Sequence, residues 1–388
     1  MASQYTSHTE SAAVSKPSSS DQTSVTMVTT PADGSCGIGT YARDLLRGLN
    51  GVDAEMVHFP QDDFSLRQFA DLAVEAVRAP GDVIHVQHEY GLFRREGSKY
   101  PGVMGLVFFP LLALLSSLQS KEVVITMHSV LKPEADESPL SVRLYLILMH
   151  KLMMLGAGQV IFLSPDCASK FLADIDLDDE EYSVLSHGVN TDIPGNLPKP
   201  EAKRKFGFDP DDTVIAIPGF IRPPKGHDIF VEIARELPEY EFMIAGGARP
   251  QGEDHEFAEQ ISASALDNVT ITGVLDHEKY WTALSAPDIA VLPYRVVTQS
   301  GTFNCCATQE LPVIASDVDY FRRIEAKWGV PETVDIEDLS AVVERVQTLA
   351  EDKARRRQHT KVMRQYKQAN SFEQVGADHL RIYHHVHN

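Results

Sequence analysis

The sequence predicts an α/β protein of two doubly wound domains that face a central cleft. Three observations carry this expectation. From residue 24 onward, short β-rich runs alternate with helical patterns, the mark of parallel strands joined by crossover helices. The alternation breaks at NLPKPEAKRKFGFDP, 196 to 210, where prolines and charges gather as they do in interdomain linkers. A second alternation then follows. At 388 residues the chain can give each domain its own core, and its 43% hydrophobic content is ordinary for protein that folds.

Taken in order, residues 1 to 23 are rich in Ser and Thr and poor in large apolar groups, so they lack the core of a secretory signal and read as a disordered tail. The first domain spans 24 to 195. Its expected strands are VTMVTT (25–30), AEMVHF (54–59), DVIHVQHE (82–89), EVVITMHS (122–129), QVIFLS (159–164) and YSVLSH (182–187), with helical stretches at 40–49 and 141–155. The most apolar run, Val103 to Ser117, is shorter than the ~20 residues of a membrane span and contains Pro110. A buried helix is expected there, with a surface resting on a membrane as the alternative. The second domain spans 211 to 371, with strands at 212–219, 241–247, 269–273, 288–294 and 311–317. Helices dominate from about 337, ending in one at about 372–386.

Charge and cysteine narrow the function classes. Lys and Arg total 35 against 55 Asp and Glu, and a net charge of -20 repels nucleic acid, so no nucleic-acid partner is expected. The carboxylates are dispersed and Lys (15) is scarcer than Arg (20), a pattern suited to a halophile, with an ordinary acidic enzyme as the alternative. Cys36, Cys167, Cys305 and Cys306 show no zinc spacing and read as reduced thiols, which points to the cytoplasm.

Three turns suit an anion. In DGSCGIGTYARDLL, Gly34, Gly37 and Gly39 precede a helix whose first N–H groups are free, although such glycines also serve tight packing. The pattern is not GxGxxG, which disfavours a nicotinamide dehydrogenase. In GFIRPPKGHD, Arg222 and Lys225 lie three apart in a Pro- and Gly-bound loop, a guanidinium fork with a point charge that fits a diphosphate. In PYRVVTQSGTFNCCATQELPVIASD, Gln299, Ser300, Gly301 and Thr302 open a helix between two buried strands, and Arg295 adds charge. Three such turns around one cleft point to a shared phosphate ligand.

These motifs, with DVIHVQHEYGLF, VVITMHSVL, VLSHGVN, FMIAGG, VTITGVL and DIAVLPYRVVTQSG in order, resemble family 4 of the glycosyltransferases, retaining enzymes of the GT-B fold. The resemblance covers nearly all of the chain beyond the tail. It implies a nucleotide-sugar donor held on the second domain and a glycan, lipid-linked or small-molecule acceptor on the first, with no cofactor and no required metal. It also implies roles for single residues. Arg222 and Lys225 would hold the diphosphate, with Arg295, Gln299, Ser300, Gly301 and Thr302 beside them. Gly37 and Ile38 would approach from the other domain, Val274 and Leu275 would border the base, and His128 would face the reacting centre. His88 and Glu89 would touch the acceptor or cap structure. Peripheral contact with the inner membrane face is compatible with this reading.

One departure stands out. Family members carry two glutamates eight positions apart, where this chain has Val297 and Cys305, and Glu310 replaces the usual small residue before the LP pair. Neither Val297 nor Cys305 can accept hydrogen bonds as a carboxylate would. A catalytically silent GT-B binding protein and a GT-B epimerase or phosphorylase are therefore the alternatives to a retaining transferase.

Overall fold

A computed structural model describes residues 23–387 apart from 34–35, 61–63, 96–97, 99, 132–138, 194 and 249–253. The expected tail, Thr23 excepted, and Gly34 lie outside the described residues. The first domain is a parallel sheet of β1 (Ser24–Thr29), β2 (Asp53–His58), β3 (Val83–His88), β4 (Glu122–Met127), β5 (Ala157–Phe162) and β6 (Tyr182–Val184), in the order β2-β1-β3-β4-β5-β6. The crossovers carry α1 (Gly37–Gly48), α2 (Leu66–Arg78), α3 (Gly105–Leu118), α4 (Leu140–Met154) and α5 (Pro165–Leu172). Helices on both faces explain why β3 is buried along its whole length, its polar His85, Gln87 and His88 included. Local chemistry sets the helix starts: Ser65 and Gln68 form a capping box on α2, and Ser164 caps α5 ahead of Pro165.

The second domain repeats the plan. After α6 (Lys199–Lys205), it holds β7 (Val214–Pro218), α7 (His227–Glu236), β8 (Glu241–Ala245), α8 (His255–Ser264), β9 (Val269–Ile271), α9 (His277–Leu284), β10 (Ile289–Leu292), α10 (Gly301–Thr308), β11 (Val313–Ser316), α11 (Asp319–Trp328) and β12 (Glu332–Val334). Its sheet order is β12-β11-β10-β7-β8-β9, again parallel. Then come α12 (Leu339–Glu351), α13 (Lys353–Ala369) and α14 (Phe372–His387).

Two elements depart from the sequence reading. The segment expected as a linker contains α6, whose Lys199 and Lys203 ammonium groups donate to the Asp288 carboxylate at 3.0 and 2.8 Å, while Ala202 and Phe208 pack into the second domain's core. Edge strand β12 went unread because its three residues, Glu-Thr-Val, follow a proline and open on a carboxylate, with no apolar run to mark them. The last helix crosses back onto the first domain. Its entry is fixed where Val189 N donates to Asn370 O and Phe372 N donates to Val189 O, at 2.8 and 3.1 Å. Helix α14 then lies so close to α1 that a Cβ on Gly376 would stand 2.4 Å from Gly48 O. Tyr383 on α14 reaches the first sheet at His85 Nδ1, 2.6 Å away.

Strand order locates the cleft. In the first sheet the direction of winding reverses between β1 and β3, and in the second between β7 and β10. Ligands of such sheets bind beyond the carboxyl ends of the strands at these reversals. The four loops there begin after Thr29, His88, Pro218 and Leu292, and each carries one of the motifs read from the sequence.

Candidate active site

A cleft of about 880 Å³ lies between the carboxyl edges of the two sheets. From the second domain it is lined by Lys225, Val274, Leu275, Gln299, Gly301 and Thr302, and from the first by Gly37, Ile38, Glu89 and His128. All ten were expected at the site. Lys225 ends the short turn Pro223–Lys225 and is followed by Gly226 in the left-handed region, φ +71°. A Cβ on Gly226 would stand 2.1 Å from Pro293 O, so only glycine lets this turn sit against the loop after β10. Lys225 Nζ thereby lies 3.3 Å from Thr302 Oγ1, at the amino end of α10, and 5.7 Å over the Tyr294 ring. Ser300 caps α10 by accepting from Phe303 N at 3.0 Å, leaving the Gly301 and Thr302 N–H groups at the helix's positive end.

Four expected residues do not line the cleft. Arg222 donates through Nε to Asp254, 3.0 Å away, at the start of α8. Arg295 forms a bidentate pair with Asp228 at 2.9 and 2.6 Å and also donates to Pro223 O, so it staples the loop after β10 to the loop after β7. Ser300 is buried by its capping role. His88 is enclosed by Tyr90, Phe93 and Phe109, and burial pulls its imidazole down to about 3, so it is a core residue and does not reach the acceptor side.

His128, at the end of β4, is held by a buried polar chain. Its Nε2 lies 2.8 Å from Gln87 Oε1, while Gln87 Nε2 approaches His85 Nε2 at 3.3 Å and His85 meets Thr126 and Tyr383. An amide oxygen only accepts, so Nε2 of His128 carries the proton and Nδ1 keeps a lone pair. Burial, with His187 nearby, pulls this imidazole down to about 3, so it is neutral at ordinary pH. Across the cleft Gln299 donates to the His128 carbonyl, tying the domains together. Glu89 accepts from Tyr90 N at 3.0 Å and Ser129 Oγ at 2.7 Å, and burial raises its carboxyl above the usual range.

The sequence reading missed several lining residues. Asp44 on α1 is buried, paired with Arg43 at 2.9 Å and bonded by Asn190 Nδ2 at 2.8 Å. The available signal was a carboxylate on the helix face that also carries Tyr41 and Leu45. Among the lining side chains, Tyr41 Oη, Trp281 Nε1 and Gln299 Oε1 are buried with no hydrogen-bond partner among the described residues. Val297 packs against the second domain's core, whereas Cys305 does line the cleft, its thiol pushed up to about 11 by burial. Among the described residues, no group of three His, Cys, Asp or Glu side chains is arranged to hold a metal ion.

Comparison with known proteins agrees with this geometry. Residues 198–367 match the family model described as glycosyl transferases group 1. D-inositol 3-phosphate glycosyltransferase of Mycobacteroides abscessus is 28% identical over 42% of this chain and 37% of its own length. Alpha-D-kanosaminyltransferase of Streptomyces kanamyceticus is 33% identical over 31% of each chain. The lipopolysaccharide core mannosyltransferase LpsB of Rhizobium meliloti is 27% identical over 46% of this chain and 53% of its own. The chain thus spans about a third to a half of the length of these relatives. Among solved structures, sucrose-phosphate synthase of Thermosynechococcus elongatus superposes with a TM-score of 0.73 at 18% identity, over 94% of this chain and 99% of that one. HepE of Anabaena, in complex with UDP and glucose, gives 0.71 at 14% identity over 93% and 99%. At these identities the likeness establishes the fold, which is GT-B: two Rossmann-like domains across a cleft.

Proposed function

We propose that this protein is a retaining glycosyltransferase that moves a sugar from a nucleoside-diphosphate sugar to an acceptor hydroxyl, with no metal required. The observation that carries the proposal is Lys225 Nζ set beside the amino end of α10 in a cleft that α1 closes with its own uncapped amino end. The group 1 match over the second domain and the UDP bound by HepE support the donor class. LpsB supports a glycan or lipid-linked acceptor.

In the proposed reaction the bond between the donor's anomeric carbon and its phosphate oxygen breaks, and negative charge grows on the leaving diphosphate. Lys225 and the N–H groups of Gly301 and Thr302 stabilise that charge as it develops. Arg222 joins them by exchanging Asp254 for the diphosphate. The acceptor oxygen bonds to the anomeric carbon on the face the diphosphate leaves, and the acceptor proton passes to the departing phosphate oxygen. His128 Nδ1 accepts a hydrogen bond from a sugar hydroxyl. Asp44, Arg43 and Asn190 stand on the acceptor side.

A panel of labelled nucleotide sugars incubated without acceptor tests this reading. Slow hydrolysis of one donor, with the released sugar first appearing in the donor's anomeric configuration by NMR and the rate surviving EDTA, is the expected result. Conversion to another nucleotide sugar would make the protein an epimerase. Binding without turnover would make it a silent module.

A further inference from the structure

Outside the cleft, the outer face of α3 and α4 presents apolar side chains that a water-facing surface does not need. Leu114 and Leu118 on α3, and Leu140, Leu144, Leu148 and Leu155 along and just beyond α4, are each half or more exposed. At roughly 100° per residue, the four leucines from 140 to 155 fall within a sector of about 80° on one side of their helix. The two helices are neighbours: a Cβ on Gly156 would stand 2.6 Å from Ala113 on α3, and Leu155 and Leu114 are the residues next to these two in the chain. Singly exposed leucines are ordinary, but a continuous stripe marks an interaction surface.

Charge identifies the partner. One residue in seven of this chain is Asp or Glu, yet α3 and α4 contain none. Helix α4 carries Arg143 and Lys151, neither of which forms an ion pair among the described residues, and Lys151 lies within the leucine stripe. The acidic residues Glu134, Asp136 and Glu137 precede α4 outside the described residues. At physiological ionic strength charges beyond about 8 Å are screened, so the patch and not the net charge of -20 governs a close contact.

We propose that the leucine face of α3 and α4 docks on an anionic lipid bilayer, leucines at the acyl boundary and Arg143 and Lys151 at the headgroups. A second copy of the chain fits less well, because a cation in the middle of the stripe would be buried against apolar groups. Helix α4 runs from the carboxyl edge of the sheet, where His128 sits, to the far edge, so docking brings the first domain's side of the cleft to the lipid surface. That docking presents a lipid-linked acceptor rests on the glycosyltransferase reading, whereas docking itself does not.

Co-sedimentation of the full chain with vesicles reads binding directly, apart from any turnover. Vesicles of equal phosphatidylcholine and phosphatidylglycerol should pellet the protein about tenfold better than phosphatidylcholine alone. Leu144→Glu with Leu148→Glu should abolish pelleting at an unchanged melting temperature, and Arg143→Gln with Lys151→Gln should remove the preference for anionic lipid. Failure of the wild type to pellet with anionic vesicles overturns the proposal. So does equal pelleting of the leucine variant, or a wild-type dimer that Leu144→Glu dissociates without any vesicle binding.

Discussion

His128 Nε2 stands 2.8 Å from the Gln87 side-chain oxygen, and this contact keeps the other ring nitrogen as an acceptor toward the cleft. Replacing Gln87 by Glu puts a carboxylate where the amide oxygen was, which favours the imidazolium and raises the pKa of His128 from its depressed value of about 3. The wild type should therefore show donor hydrolysis nearly independent of pH between about 6.5 and 8, where the buried histidines leave the fold stable, while Gln87→Glu loses activity as pH falls across that window, because a protonated Nδ1 cannot accept. A pH–rate profile of both proteins checks this, and identical profiles would remove His128 from the reaction. At this scale the sequence was partly legible. Lys225, His128 and the TQSG turn were readable because each lies next to a strand end. The pairings of Arg222 with Asp254 and Arg295 with Asp228 were not, since the partners are 32 and 67 positions away and meet only when loops from different strands converge. His88 misled because a histidine at a strand end looks identical in sequence whether its ring faces a cleft or a cluster of phenylalanines.

Eleven of the twelve strands were visible as short β-rich runs, most plainly the central ones such as β4, β7 and β10, which helices cover on both faces. The twelfth, β12, has three residues and draws its stability from Glu332, which binds Arg345, Arg355 and His359. No local pattern announces such a network. Helix α6 was hidden for a related reason: KPEAKRK is charged and short, and Lys199 and Lys203 find their places only on other segments, at the Asp288 carboxylate and the carbonyls of Pro287 and Asp212. The loop holding Lys225 depends on Gly226. Alanine there must adopt a left-handed backbone, which costs about 1–3 kcal/mol, and must also move Pro293 away. Gly226→Ala should lower the unfolding free energy by at least ~2 kcal/mol in urea and weaken nucleotide binding with it. Unchanged stability would show that the two loops are not packed as described.

Across the whole molecule, histidines are buried in unusual number. Burial lowers the pKa of His85, His88, His128, His150, His187, His227 and His379. Each folded-state value lies below the unfolded value of about 6.5, so the unfolded chain binds more protons and stability is lost as pH falls below that point. At pH 5 a histidine held near 3 or 4 withdraws about 2 kcal/mol, and several together should unfold the protein or drop its melting temperature steeply between pH 7 and 5. A melting temperature flat over that range would mean the rings are solvated. The two-domain plan was legible from alternation and from the four motif loops, which strand order then gathers at one cleft. Calorimetric titration of nucleoside diphosphates into the wild type and Lys225→Ala tests the central claim most directly. The account predicts that at least one diphosphate binds one to one and that Lys225→Ala weakens it about a hundredfold, near 3 kcal/mol, while Arg295→Ala, whose charge is spent on Asp228, changes affinity only a few-fold. No binding by any nucleoside diphosphate, or equal binding by Lys225→Ala, would contradict it.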